Sequence, residues 1–107
     1  MNLDNTDISW EGNYFGLQAI LSDRAKCVLA SKTAEDLLCL HDALGDPNRF
    51  VASHVLLACV HGINDFDASS WCGLEVDIEA NGDCIIDPSQ MDKIRQFWFR
   101  RGNQRDP

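Results

Sequence analysis

Cysteine and histidine occur twice with the same spacing, as Cys39-Leu-His41 and Cys59-Val-His61. Thiolate and imidazole are ligands that zinc takes in proteins. Both pairs fall in stretches with a helical pattern, and side chains two residues apart on a helix point about 200° from each other. One helix therefore cannot chelate an ion through either pair. The sequence predicts neither a metal site nor another cofactor.

His54 and His61 lie seven residues apart, which puts both on one face of a helix. Two such imidazoles could act as acid–base groups in a groove. A nucleophilic pair with Cys59 or Ser53 is disfavoured, because neighbouring side chains of one helix diverge. The chain has no G-x-S-x-G, H-E-x-x-H, calcium-loop or phosphate-loop motif. We therefore assign no catalytic residue, and interpret both histidines as packing or partner-surface groups.

The five cysteines are an odd number without a framework spacing, and the acidic, polar start of the chain does not resemble an export signal. Free thiols and a cytoplasmic location are therefore expected. The most apolar stretch, residues 50–60, is too short for a bilayer, so no membrane role is expected. Cys72 should lie accessible in a loop. The other four lie in apolar runs and should be buried (Cys27, Cys39, Cys59 and Cys84).

The 107 residues, 45% of them apolar, suit a single globular α+β domain over residues 1–107. Three to four helices should fill the N-terminal two-thirds, before a β-hairpin and a last helix. The expected segments are an arm or edge strand (1–13), a helical core (14–62), a loop (63–73), the hairpin (74–87), the C-terminal helix (88–101) and a frayed tail (102–107).

Within the core, residues 14–30 have a helical pattern, and Ser22 could cap a second helix inside it, so one or two helices remain open. The next helix should begin after Thr33 with a capping box that includes Asp36, and should end at a left-handed Gly45.

The third helix should be capped by Asp46, with Pro47 in its first turn, and should stop at Gly62. It is apolar nearly all round, which predicts a place in the middle of the fold. The junction at residues 44–52 resembles the joint of HEAT-type repeats, over this one joint and without a repeat period.

The hairpin admits two registers. A two-residue Asn-Gly turn would put Ile86 among acidic side chains. A three-residue loop with a left-handed Gly82 as a G1-type bulge instead pairs Ile78 with Cys84 and Val76 with Ile86. We expect the second register, because it collects one apolar face (Leu74, Val76, Ile78, Cys84 and Ile86).

The other face of this hairpin is acidic, and we call it the acidic ribbon (Glu75, Asp77, Glu79, Asp83 and Asp87). In the expected register Glu75 faces Asp87 and Glu79 faces Asp83, and each like-charge pair costs a few tenths of a kcal/mol or more. A solvated face that discourages aggregation is one interpretation. The alternatives are contact with a basic partner, contact with the basic tail of a second copy, or a cation.

The last helix carries Phe99 beside Arg95 and Arg100, away from its apolar face. An aromatic residue among arginines is typical of contact surfaces, although Phe99 could instead pack on the N-terminal arm. Residues 1–92 have 16 acidic and 4 basic side chains, whereas residues 93–107 have 5 basic and 1 acidic. The acidic bulk disfavours nucleic acid as a partner.

These features favour a small acidic protein-binding or regulatory module, such as an inhibitor, an immunity-type protein or an adaptor, which acts through surface contacts with a protein partner, for which a basic surface would be suitable. One alternative is a self-assembling structural protein, a homo-oligomer joined through the acidic hairpin and the basic C-terminal helix. The other is a metal-dependent or enzymatic domain that uses His54 and His61.

Overall fold

The computed structural model describes residues 3–13, 16–31, 33–63, 70–79 and 84–104, and shows an α+β fold. Its helices are α1 (Asp23–Ser31), α2 (Ala34–Ala43), α3 (Phe50–Val60) and α4 (Met91–Gln104). Its strands are β1 (Ile8–Asn13), β2 (Gly16–Leu21), β3 (Ser70–Trp71), β4 (Leu74–Glu75), β5 (Asp77–Ile78) and β6 (Cys84–Ile85). Turns of 3-10 helix cover Asn5–Asp7 and Pro88–Gln90.

Helix α3 lies at the centre of the fold, as its uniformly apolar sequence predicts. Every residue from Phe50 to Ala58 is buried, including Ser53 and His54. Helices α1, α2 and α4 and strand β1 all contact it. A helix without a polar face is stable only when other elements cover it on all sides.

The N-terminal segment differs from the prediction, because residues 16–21 form a strand and not the start of a helix. Strand β2 pairs antiparallel with β1, from Ile8 with Leu21 to Asn13 with Gly16. Leu17 is buried and Leu21 half-buried on one face, which is the alternation of a strand. The same apolar residues also fit a helical stripe, and pairing with β1 selects the strand.

Local caps predicted from the sequence begin the next two helices. The Ser22 hydroxyl accepts the N–H of Ala25 at 3.1 Å and begins α1. Because a strand precedes α1, the structure matches neither one helix nor two helices over residues 14–30. The Thr33 hydroxyl accepts the N–H of Asp36 at 3.1 Å, and the Asp36 carboxylate accepts the N–H of Thr33 at 3.3 Å. This reciprocal pair is the expected capping box.

The link between α2 and α3 corrects two expectations. Gly45 does not have a positive φ, so it is not the left-handed cap of α2. The Asp46 carboxylate accepts the N–H of Asn48 at 2.9 Å and closes a separate turn, and α3 begins only at Phe50. Pro47 therefore lies in this turn and not in the first turn of the helix.

Asn5 caps α3 from a distant part of the chain. Its side-chain oxygen accepts the N–H of Val51 at 3.1 Å, while its amide group donates to the carbonyl of Pro47 at 2.9 Å. Arg49, at the cap position itself, makes no side-chain capping bond. The N-terminal arm therefore supplies the acceptor that a capping side chain normally provides.

At its other end α3 stops at Gly62, as expected, with φ at 68°. The N–H of Ile63 donates to the carbonyl of Ala58 at 2.9 Å, and the N–H of Gly62 donates to that of Cys59 at 3.2 Å. This pair of bonds is the Schellman arrangement, in which the left-handed position favours glycine.

Asp7 ties the N-terminal arm to the start of α1. Its buried carboxylate accepts the N–H of Asp4 at 2.9 Å, the hydroxyl of Ser22 at 2.7 Å and the guanidinium of Arg24 at 2.9 Å. Burial raises the pKa of Asp7, but these hydrogen bonds and the charge of Arg24 outweigh it and hold the pKa below its usual value.

We expect Asp7→Ala to lower the free energy of unfolding by about 2 kcal/mol, because donors on both sides of the junction lose their acceptor. Urea unfolding followed by circular dichroism measures the change. Asp23→Ala, at an exposed carboxylate in the first turn of α1, is the control and should cost at most about 0.5 kcal/mol. Equal losses in both variants would contradict this role for Asp7.

The second half of the chain contains more pairing than predicted. Residues 63–73 are not all loop, because β3 pairs with β4 through the turn at Cys72 and Gly73, which both have positive φ. The expected single strand over residues 74–79 is divided between two partners, β3 and β6. The pair of Ile78 with Cys84 is confirmed. The predicted bulge at Gly82 lies outside the described residues.

The apolar face of helix α4 lies against the core, with Ile94 and Trp98 buried. The Asp87 carboxylate accepts the N–H of Ser89 at 2.9 Å and begins the 3-10 turn before α4, as its position before a proline predicts. The helix continues past Gly102 to Gln104, so it does not end at residue 101. A glycine within a helix costs only about 1 kcal/mol, which neighbouring residues can offset.

Candidate functional site

His54 forms the polar centre of the core. Its Nδ1 accepts the indole N–H of Trp98 at 2.8 Å, and its Nε2 lies 3.1 Å from the carbonyl oxygen of Trp71. An indole nitrogen can only donate and a carbonyl can only accept. These partners therefore fix the neutral tautomer with the proton on Nε2, and His54 joins α3 to β3 and α4.

Burial lowers the pKa of His54 from 6.5 to about 4, although hydrogen bonds to the backbone of Trp71 and Cys72 act in the opposite direction. His54 has no exposed surface, so it cannot line an open groove. His61 is exposed, and its ring packs 5.6 Å from that of Trp98. The seven-residue spacing thus brings both imidazoles to Trp98, one inside the core and one at its edge.

Three cysteines occupy different environments from those expected, and the side chain of Cys84 lies outside the described residues. Cys72 is buried, because the turn between β3 and β4 folds against the core together with Trp71 and Leu74. Cys27 and Cys59 are exposed, and Cys39 is half-buried. Among the described residues, no three histidine, cysteine, aspartate or glutamate side chains come close enough together to hold a metal ion.

An open groove of about 500 Å³ lies between the C-terminal end of α2 and the outer side of α4. Phe99 stands on its rim and is 69% exposed, so at most a minor part of its side chain packs against any other segment. Arg95 lies beside it, 3.7 Å from the Asp92 carboxylate, and both side chains face solvent. Arg100 is also exposed. The groove is lined by His41, Leu44, Asp92, Arg95, Gln96, Trp98 and Phe99.

The acidic ribbon forms a second surface feature. Its described members are all exposed, and Asp83 lies outside the described residues. Ile85 pairs directly with Asp77, so this apolar side chain, 49% exposed, lies among the carboxylates. Sequence analysis missed Ile85, although its alternation with Ile86 in the expected register places it on the acidic face.

Gln90 holds one end of the acidic ribbon. Its side-chain oxygen accepts the N–H of Glu75 at 2.8 Å, and its amide group donates to the carbonyl of Glu75 at 3.0 Å. Glu75 pairs with Ser70, in the ladder of β3 with β4. It is not part of the ladder of β5 with β6. The ribbon is therefore fixed by its backbone, while its carboxylates stay exposed.

No helix in the parts of the chain described above is long and apolar enough to cross a bilayer. No protein-family model, no curated protein and no solved structure matches this chain.

Proposed function

We propose that this chain is a small acidic protein-binding or regulatory module, of the inhibitor, immunity or adaptor kind, that acts through surface contacts in the cytoplasm. The exposure of Phe99 on the rim of the groove is the observation that supports this most. Aromatic and arginine side chains supply much of the binding energy at protein interfaces. Phe99 exposes 69% of its surface beside Arg95 and Arg100, which is that composition.

The environment of His54, the histidine that a catalytic role would need, also supports a binding function. His54 is buried, neutral and bonded to partners at both ring nitrogens, so it holds the core together and has no access to a substrate. The acidic ribbon adds a second contact surface. Carboxylates grouped on one face accelerate the approach of a basic partner.

Partner capture with matched variants tests the proposal. Tagged wild-type chain, Phe99→Ala and Leu38→Ala are used as baits in extracts of the native host. Leu38, on α2 and outside the groove lining, is 68% exposed and so matches Phe99. We expect Phe99→Ala to lose at least about thirtyfold in affinity for the captured protein, and Leu38→Ala to retain it, since a central interface aromatic contributes about 2 kcal/mol or more.

Both variants should unfold at the wild-type urea concentration, because each removes an exposed side chain. Retention of the same proteins by wild type and Phe99→Ala would contradict a contact surface centred on Phe99. An equal loss of affinity in Phe99→Ala and Leu38→Ala would show that the captured proteins bind exposed apolar side chains in general and not the groove.

A further inference from the structure

Trp98 belongs both to the core and to the groove. On the core side its indole N–H donates to Nδ1 of His54 at 2.8 Å, and the centres of the two rings are 5.8 Å apart. On the other side Trp98 lines the groove with Leu44 and Phe99. Leu44 and Trp98 are the buried residues of this lining, and the remaining residues of the lining are exposed. Leu44 and Trp98 therefore form the floor of the groove.

The imidazole of His54 is held in place independently of Trp98. Its Nε2 lies 3.1 Å from the carbonyl oxygen of Trp71 and donates to it. The rings of Trp71 and Phe97 also meet it edge to face, each at a centroid distance of 5.8 Å. Turning the imidazole over would break the bond to Trp71 and present a C–H group to the indole. Nδ1 is therefore a fixed acceptor that points at Trp98.

The bond to Nδ1 decides which way the ring of Trp98 is turned. Rotation of a tryptophan ring about its outer torsion has only a broad preference, so the torsion itself does not fix the ring. An indole N–H that is buried without an acceptor is costly. The groove is the open side of Trp98, where solvent and the Asp92 carboxylate can accept. Without Nδ1 the ring should turn its N–H toward the groove, which makes the floor polar.

We propose that His54 is a positioning residue for the groove: its Nδ1 holds Trp98 in the orientation that keeps the floor apolar, and a partner binds more weakly without this bond, an inference that rests on the proposed function of the groove as a contact surface. Binding energy at interfaces concentrates in pockets from which water is excluded, and an apolar floor beside Phe99 provides one. His54 has no exposed surface, so it controls affinity through Trp98 and not by contact.

Asparagine and glutamine at position 54 separate this role from general support of the core. The amide oxygen of asparagine takes the place of Nδ1, so His54→Asn keeps the acceptor for Trp98 and loses the bond to Trp71. The amide nitrogen of glutamine takes the place of Nε2, so His54→Gln keeps the bond to Trp71 and loses the acceptor for Trp98. Asparagine also removes more volume from the core, so His54→Asn should be the less stable variant in urea unfolding.

Binding and ring position are measured on the same variants. Affinity is measured for the host protein that the wild-type chain captures, and the Trp98 indole N–H is followed by nuclear magnetic resonance, assigned by its loss in Trp98→Phe. In His54→Gln this N–H should exchange with solvent at least about a hundredfold faster than in wild type. Affinity should fall about tenfold, because the partner then meets a polar floor. His54→Asn, although less stable, should keep slow exchange and bind within about threefold of wild type.

Hydrogen exchange of the wild-type chain tests the ring without any substitution. The Trp98 N–H should exchange as slowly as the slowest backbone amides of α3, because both are exposed only when the core opens. Much faster exchange would overturn the proposal, and so would a loss of affinity in His54→Asn as large as that in His54→Gln.

The proposed function and the role of His54 can fail separately. If Phe99→Ala loses the host protein while His54→Gln binds it as tightly as wild type does, the contact surface stands and the role of His54 is overturned. If capture does not depend on Phe99, the proposed function fails, and the exchange of the Trp98 N–H in wild type and in both His54 variants alone decides whether His54 positions the ring.

Discussion

Replacing Trp98 with alanine is expected to lower the free energy of unfolding by about 4 kcal/mol. Trp98 is buried, and its ring contacts those of His54, Phe97 and His61 at centroid distances of 5.0 to 5.8 Å. The substitution leaves a cavity between α3 and α4 and also leaves Nδ1 of His54 without its donor, a loss that burial makes expensive. Urea unfolding followed by far-ultraviolet circular dichroism measures the change.

Phe99→Ala is the matched control, because it removes the neighbouring aromatic side chain of the same helix from an exposed position. It should change the free energy of unfolding by less than about 0.5 kcal/mol. Trp98→Phe separates the hydrogen bond from the packing and should cost about 2 kcal/mol. Similar losses for Trp98→Ala and Phe99→Ala would mean that α4 does not face the core through Trp98.

Acidification should destabilise the fold through His54. Its pKa is about 4 in the folded chain against 6.5 when unfolded, so the unfolded state binds more protons between these values. Stability is therefore unaffected above pH 7 and falls as the pH decreases through 6.5, by a total of about 3 kcal/mol at pH 4. Unfolding free energies measured with urea across this range give the slope.

The control for this slope is His54→Gln, which does not titrate. The variant should be less stable than wild type at pH 7, because it cannot reproduce both hydrogen bonds, yet its stability should decrease much less between pH 6.5 and pH 4. Asp7, whose pKa is held below 3.8, begins to contribute only at lower pH. A slope that His54→Gln leaves intact would assign the acid sensitivity to other groups.

Features that depend on residues a few positions apart were predictable. The capping box of Thr33 and Asp36, the end of α3 at Gly62 and the pairing of Ile78 with Cys84 all follow from short-range patterns, and the structure shows each of them. Helical periodicity placed Phe99 away from the apolar face of α4 but left open whether it packs on the N-terminal arm, and the structure shows it 69% exposed.

Only one of the two walls of the groove could be predicted from the sequence. The side of α4 that carries Arg95 and Phe99 can be derived from helical periodicity. Its other wall is formed by His41 of α2 and by Leu44, which follows α2 directly. This wall depends on how α2 and α4 approach each other, which no local pattern specifies. The hydrogen bonds between the Gln90 side chain and the backbone of Glu75 likewise join residues that are 15 positions apart.

By itself the sequence determined the α+β class, the central place of the all-apolar α3, and the separation of a basic C-terminal segment from an acidic body. Only the tertiary structure decided that residues 16–21 form a strand, that Cys72 is buried, and that His54 bonds to Trp71 and Trp98, which lie 17 and 44 residues away. Periodicity and caps operate over one or two turns of chain. The burial and the partners of a side chain instead depend on which distant segment fills the space beside it.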